Sequence, residues 1–308
     1  MKPLAKYLAR RLAASVLILL GVVTITFLLI YIFPADPVSQ IAGPHATPEV
    51  VASIRKEIGL DRPLPEQYIT YIGNLLRGDL GRSYKQKSEV AELVMARLPA
   101  TLLLMLGAIF FELLIGIPLG ILAAARRGKI DRGIMIMAFA GVSAPQFVVG
   151  LILLYVFAYV IGWFPLSGYG GISHLILPAL TLGIGGGGWY ARVLRSNLVE
   201  VMRQDYIRTA RAKGLGERKV VLIHALRNAI LPAVAMVGLD IGTFMGGAVV
   251  VETVYGWPGI GQLAWQAIQV VDSPIIMGVT LVAAIAIVIG NLLADLVTPL
   301  IDPRVRLR

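Results

Sequence analysis

The sequence predicts an all-α integral membrane protein with six transmembrane helices. Of its 308 residues 57% are hydrophobic, and the mean hydropathy is +0.79. A soluble domain of this composition could not hide its apolar surface from water. Charged residues are separated by long uncharged stretches, and these have the length that a bilayer core of about 30 Å requires. Composition and spacing therefore predict the same fold class.

Six stretches are long enough and apolar enough to cross a membrane. They are Leu12–Phe33, Thr101–Ala125, Gly133–Ile161, Leu175–Ala191, Ala229–Val251 and Ile275–Leu300. The fifth contains Asp240, whose insertion cost of about 2.5–3.5 kcal/mol is offset by the Leu, Ile, Phe and Val residues around it. Pro145, followed by Gln146, predicts a bend in the third span, and the glycines after Pro178 predict one in the fourth.

The placement of basic residues predicts the orientation. With the N-terminus inside, the inner segments carry 20 Lys and Arg against five acids, and the outer segments carry eight against ten. Cytoplasmic loops are enriched in basic residues, so both termini are expected in the cytoplasm. The chain is therefore expected to consist of four regions. These are the N-terminus and first helix at 1–33, an outer region at 34–97, the remaining five helices at 98–300 and a cytoplasmic tail at 301–308.

The outer region is expected to contain two short amphipathic helices. Thr47 and Pro48 start the first, which Gly59 ends, and Pro65 opens the second, which ends before Gly78. Such helices suit a structural lid over the outer ends of the spans. Contact with a delivered substrate or with its carrier is the alternative.

Several chemistries are excluded or disfavoured by composition. The chain has no cysteine and three scattered histidines, so thiolate chemistry is excluded and a zinc centre is not expected. No phosphate-binding loop is present: Gly128-Lys129 is followed by Ile130 and lacks the first glycine of that motif. The chain is therefore not expected to be an enzyme or to bind a cofactor.

The segment between the fourth and fifth spans is the most informative. Nine basic residues lie between Arg192 and Arg227, and Gly214 and Gly216 separate two helical patterns. Its tethering to the bilayer at both ends disfavours binding to nucleic acid. The run from Asp205 to Leu215, DYIRTARAKGL, and the later His224–Asn228 resemble the coupling segment of binding-protein-dependent ABC importer permeases, in particular the B-type subunits of the dipeptide, oligopeptide and nickel branch.

Other stretches carry the same resemblance in order along the chain. They are GLDRPLP at 59–65, GDLGRSY at 78–84, SAPQF at 143–147, FPLSG at 164–168, PALTLG at 178–183, GGAVVVETVYGWPGIG at 246–261 and DPRVR at 302–306. The general family pattern has an acidic residue where this chain has Arg208, and a proline where it has Arg227. Both departures fit the peptide branch, and they weaken any salt bridge assigned to that acidic residue.

The resemblance implies the type I ABC importer transmembrane fold and a function. The chain would be one permease subunit that translocates dipeptides or short oligopeptides across a prokaryotic cytoplasmic membrane by alternating access. A second homologous permease, two ATPase subunits that bind ATP and Mg, an extracytoplasmic solute-binding protein and membrane lipid would be its partners. The coupling loop, 196–230, would contact the ATPase through Asp205, Tyr206, Arg208, Thr209, Ala210, Arg211, Ala212, Lys213, Gly214 and Leu215.

Residues within the spans leave alternatives open. Gln146, Asp240, Phe244 and Met245 are candidates for the translocation path, although Asp240 also suits a hydrogen bond to a neighbouring helix. Gly238, Gly242 and Gly246 share one helix face, which suits close packing or a gating surface.

Other functions are compatible with parts of the sequence. Import of nickel, glutathione or another small solute is an alternative within the same architecture. Glu112, Asp240 and Asp295 would serve a proton-coupled secondary transporter, and Ser167 with His174 would serve a hydrolase.

Overall fold

The computed structural model describes residues 2–32, 37–43, 46–126, 128–246 and 248–301. Helices are the regular structure of these residues, apart from an isolated β-bridge between Arg82 and Glu89. The helices are α1 (Lys2–Ile32), α2 (Pro37–Ala42), α3 (Pro48–Glu57), α4 (Leu64–Leu76), α5 (Val90–Ala125), α6 (Lys129–Ser143), α7 (Gln146–Leu153), α8 (Ile172–Val201), α9 (Asp205–Ala212), α10 (Glu217–Lys219), α11 (Leu226–Ala229), α12 (Leu231–Met245), α13 (Val249–Val254), α14 (Ile260–Gln269) and α15 (Ser273–Ile301). Two π-helical segments, Leu154–Val160 and Val220–Ala225, extend α7 and join α10 to α11. The expected tail beyond Ile301 lies outside the described residues.

Three described helices are long and apolar enough to cross a membrane on their own, namely those at Ala9–Ile30, Val90–Ala125 and Ser273–Leu293. Two further crossings result if each of two bent helix pairs is one span. The helix α8, where the fourth span was expected, has 30 residues but is less apolar than these. The structure thus contains the apolar helices of a multi-pass membrane protein.

Both bent pairs lie at prolines. The pair α6 and α7 with its π-helical extension turns through 101° between Ser143 and Gln146, where Pro145 is the N-cap of α7. The predicted bend of the third span is therefore confirmed, and it is nearly a right angle. The second pair turns through 48° between Ala229 and Leu231, and Pro232 follows in the first turn of α12. The fourth span differs: α8 runs unbroken through Pro178 and its glycines.

The helices α5 and α8 form the centre of the structure, and glycines bring their backbones together. A Cβ atom on Gly116 would lie 2.8 Å from the Gly187 carbonyl oxygen, and one on Gly120 would lie 2.9 Å from that of Ala191. Likewise, a Cβ on Gly187 would lie 2.9 Å from Cβ of Ile115. Only glycine permits such approach, as in membrane helix pairs generally. The glycines of α8 therefore serve packing rather than interruption of the helix.

The outer region contains the two short helices that the sequence predicts, as α3 and α4. Its aromatic side chains pack on α1: the rings of Tyr68 and Tyr71 lie 5.2 and 5.9 Å from the ring of Phe27. The Tyr68 hydroxyl also lies 2.6 Å from that of Thr24. Burial raises the pKa of Tyr71 to about 12, so its hydroxyl stays neutral. The region is thus held against the first long helix.

Candidate ATPase-coupling segment and translocation path

The helix α9 packs on the C-terminal ends of α5 and α8 through two buried side chains. Ile207 and Ala210 face inward, 0% and 6% exposed, and belong to a cluster with Leu194, Leu198 and Val220. Because an isolated eight-residue helix is marginal in water, this packing is what holds α9 in place. The chain turns between Met202 and Gln204, so α9 is a helix separate from α8.

The face of α9 opposite Ile207 and Ala210 is exposed and strongly polar. Its exposed residues are Asp205, Arg208, Thr209, Arg211, Ala212 and Lys213. Tyr206, 38% exposed, accepts a hydrogen bond of 2.6 Å from the Asn228 side chain, which ties α9 to α11. Leu215 is half-buried against the chain's own inner cluster, so it anchors the turn within this chain.

The turn after α9 depends on one glycine and one ion pair. Gly214 has a φ of +78°, in the left-handed region where a side chain is strained. Arg211 reaches across the turn and donates two hydrogen bonds to Glu217, at 3.0 and 2.6 Å. These bonds lower the pKa of Glu217, so its charge persists at neutral pH. Arg211 is thus engaged within the segment, whereas Arg208 makes only an exposed 3.4 Å contact with Asp205.

The three acids predicted to lie within the spans differ in their contacts with other helices. The Tyr190 hydroxyl of α8 donates to the carboxylate of Asp240. Asp295 pairs with Arg11 at 2.6 Å, which joins α15 to α1. Glu112 is buried against Gly186, and its Oε2 atom has no hydrogen-bond partner among the described residues. Asp240 therefore makes the interhelical hydrogen bond that was one of its two predicted roles.

The other predicted path residues are not gathered around a common space. Gln146 is exposed at the start of α7. Phe244 is partly buried between two core clusters, and Met245, 4% exposed, packs with Met105 and Ile109. In this conformation Met245 is a core residue.

The predicted glycine face of α12 divides into two parts. Gly238 and Gly242 are buried, and α15 approaches both: a Cβ on Gly242 would lie 3.1 Å from Cα of Ile287, and one on Gly290 would lie 2.8 Å from the Gly238 carbonyl oxygen. Gly246 is exposed at the end of α12 and contacts only its own helix. The first two thus lie in a close helix contact.

The hydrolase alternative has no support from geometry. No hydrogen bond joins Ser167 to His174 within the described chain, and the buried Nδ1 atom of His174 is without a partner there. Gly170 lies against the His174 ring. A nucleophile needs a base within hydrogen-bond reach, and this pair does not provide one.

Long apolar helices, a central glycine-packed pair and an exposed basic helix define a helical membrane transport subunit. The family described as "Binding-protein-dependent transport system inner membrane component" matches residues 116–307, and the family of the corresponding N-terminal region matches residues 4–105. The chain belongs to this family of ABC importer permeases. It is a multi-pass inner-membrane permease subunit that is not itself catalytic and that works with ATPase and binding-protein partners.

Individual relatives cover nearly the full chain. The oligopeptide transport system permease protein AppB of Bacillus subtilis is 41% identical over 98% of this chain and 99% of its own. The glutathione transport system permease protein GsiC of Salmonella typhimurium strain LT2 is 40% identical over 97% and 98%. Among solved structures, the inward-facing MetNI methionine ABC transporter matches with a TM-score of 0.58 and 19% identity, over 68% of this chain and 96% of that one. This last likeness shows the fold.

Proposed function

We propose that the chain is one of two permease subunits of an importer that moves dipeptides or short oligopeptides inward by alternating access. Relatives named for oligopeptide and for glutathione transport, at 41% and 40% identity, support a peptide substrate, because glutathione is itself a short peptide. Glutathione is accordingly the second candidate substrate. Free dipeptides and oligopeptides, like glutathione, carry an ammonium and a carboxylate group.

The arrangement in the membrane follows from the same proposal. Six spans with both termini in the cytoplasm put α9 and its turn on the ATPase side, together with the excess of basic residues. The fourth crossing is then α8, and the bent pairs are the third and fifth. The outer region, 34–97, faces the side from which the binding protein delivers substrate.

The exposed face of α9 is the observation that supports coupling to an ATPase. A short helix that is fixed by Ile207 and Ala210 and that presents Arg208, Thr209 and Lys213 outward fits a cleft lined by acids. Two ATPase subunits would occupy this face on the two permeases and would bind ATP and Mg, while this chain binds no cofactor. Closure of the ATPases would then move α9, and with it α8.

Reconstitution tests the proposal. The complete complex in liposomes should accumulate a radiolabelled dipeptide against its gradient only with ATP and the binding protein. The permease pair without the ATPase is the matched control and should show no uphill uptake. Accumulation by this chain alone, driven by a proton gradient, would overturn the proposal in favour of a secondary transporter.

A further inference from the structure

The helix α8 has two opposite faces with different environments. The face toward α5 is packed throughout, and Tyr190 and Leu194 on it are 1% and 0% exposed. On the opposite face, Thr181 is buried, and its hydroxyl lies 2.8 Å from that of Tyr255. From Trp189 onward the residues on this opposite face are exposed in the described part of the chain.

The exposed part is a stripe of three residues at helical spacing, namely Trp189, Arg192 and Ser196. Trp189 is 44% exposed, and Arg192 and Ser196 are exposed as well. The stripe lies about 26 to 36 Å along the helix axis from Ile172, which places it near the inner boundary of a membrane crossing. By contrast, exposed positions such as Leu106 and Phe110 on α5 are apolar, as lipid requires.

Arg192 is held in a defined orientation and has no acidic partner. Its guanidinium carbon lies 4.2 Å from the centre of the Trp189 ring, a cation–π contact. No carboxylate pairs with Arg192 among the described residues, and the nearby Asp131 is already engaged by Arg195 at 3.0 and 2.5 Å. The planar face of the guanidinium is thus stacked, and its N–H groups remain available to an incoming group.

We propose that this stripe of α8 lines the inner part of the translocation path and that Arg192 binds the carboxylate of the passing substrate. The inference rests on the proposed peptide function, since a peptide supplies that carboxylate. A guanidinium matches a carboxylate in geometry and can donate two parallel hydrogen bonds to it.

Single cysteines test the lining, because the natural chain has none. In the reconstituted complex, with cysteines removed from its partners, S196C should react with a charged, membrane-impermeant thiol reagent, and saturating dipeptide should slow that reaction. Two controls are matched to it. L194C lies on the packed face of the same helix and should not react, and I18C, 56% exposed on α1, should react only with a lipid-soluble reagent.

The outcomes separate the possible occupants of the stripe. Protection of S196C by dipeptide supports the proposal. Reaction of S196C only with the lipid-soluble reagent would show that lipid covers the stripe. A disulfide between S196C and a cysteine in the second permease would show that the stripe is a subunit interface. Either result would overturn the proposal. Failure of the wild-type complex to accumulate peptide would instead overturn the proposed function, and labelling would still report on the stripe.

The role of Arg192 is tested separately from the lining. R192Q should lower dipeptide uptake about tenfold to a hundredfold, as loss of a charge-assisted hydrogen bond implies, and R192K should recover part of it. In an R192Q/S196C variant, thiol labelling should continue while protection by dipeptide is lost, which a purely structural role would not produce. R77Q, at an exposed arginine of the outer region, is the control. Uptake by R192Q equal to that by R77Q would overturn this assignment.

Discussion

The Ser83 hydroxyl donates a 2.5 Å hydrogen bond to the carboxylate of Asp272, across 189 positions of the chain. The backbone N–H groups of Tyr84 and Lys85 donate to the same carboxylate at 3.3 and 3.1 Å. Asp272 is 1% exposed and lies directly before α15. The outer region is therefore fixed to the last long helix by a buried acid with three donors.

Loss of this acid should loosen the outer region. D272A removes the acceptor that these three donors share, so we expect a destabilisation of about 3 kcal/mol. Limited proteolysis of residues 79–88 and the thermal denaturation midpoint of the solubilised protein would measure it. D79A is the matched control, because Asp79 is exposed and bonds only to the nearby Gly81 N–H. Equal proteolysis of the two variants would contradict the prediction.

The left-handed turn at Gly214 should be necessary for coupling. G214V forces a β-branched residue to a φ of +78°, at a cost of about 1–2 kcal/mol or a changed turn. We expect normal insertion, but much less peptide transported per ATP hydrolysed. G216A is the control, since Gly216 has a φ of −61° and a methyl group added there would meet no atom within 4 Å. A G214V complex with wild-type coupling would show that the turn geometry is dispensable.

Glu252 should make stability depend on pH. Burial raises the pKa of its carboxyl from 4.5 to about 7. The Gln262 N–H, which donates to Oε2 at 2.6 Å, and the charge of Arg97 lower the pKa but only partly offset the effect of burial. The folded protein therefore binds the proton more tightly than the unfolded chain. The resulting stability is full below pH 4.5 and is lost as the pH rises through 7, by up to about 3 kcal/mol.

The E252Q variant tests this sign. Glutamine cannot ionise, and its carbonyl oxygen can still accept the Gln262 N–H. The thermal denaturation midpoint of the wild type should fall between pH 5 and 8 more steeply than that of E252Q. E57Q, at an exposed position on α3, should behave like the wild type. Parallel curves for the wild type and E252Q would show that Glu252 does not titrate in this range.

The hydrogen bond between Tyr190 and Asp240 should matter for folding more than for substrate passage. Asparagine at 240 can still accept the tyrosine proton, so D240N should retain most peptide uptake. D240A and Y190F should each lower the yield of folded protein, because one polar partner is left in the membrane interior. Detergent-extractable folded protein and uptake per folded molecule separate the two effects. A large loss of uptake in well-folded D240N would return Asp240 to the translocation path.

The inner segment shows what residue pattern can and cannot predict. Helical spacing and glycine position, which are local signals, indicated helices on both sides of Gly214, and the family resemblance supplied the residues of α9. It predicted that Tyr206 and Leu215 contact a partner, and it did not predict their contacts within the chain, Tyr206 with Asn228 and Leu215 with the cluster around Leu198. It missed Ile207 as the main anchor. Which face of an eight-residue helix is buried depends on the distant α5 and α8, and local spacing does not contain that information.

In the spans, too, some features could be predicted from residue pattern and others could not. Hydropathy and charge identified the apolar stretches, and Pro145 marked the larger bend. Hydropathy could not show that α8 is exposed on one side from Trp189 onward, since that depends on which other helices pack against it. The stripe with Arg192 was missed for this reason, although an arginine three residues after Trp189 is the spacing of a cation–π pair on a helix.

The glycine contacts between α5 and α8 have a mechanical consequence. Flexible side chains between two helices can change rotamer and absorb a small displacement, but Gly116 and Gly187 bring the backbones into direct contact and leave nothing to yield. The pair should behave as one stiff beam about 50 Å long, the length of a 36-residue helix. A displacement of α9 by a few ångströms would then be transmitted along this rigid pair to the opposite membrane surface.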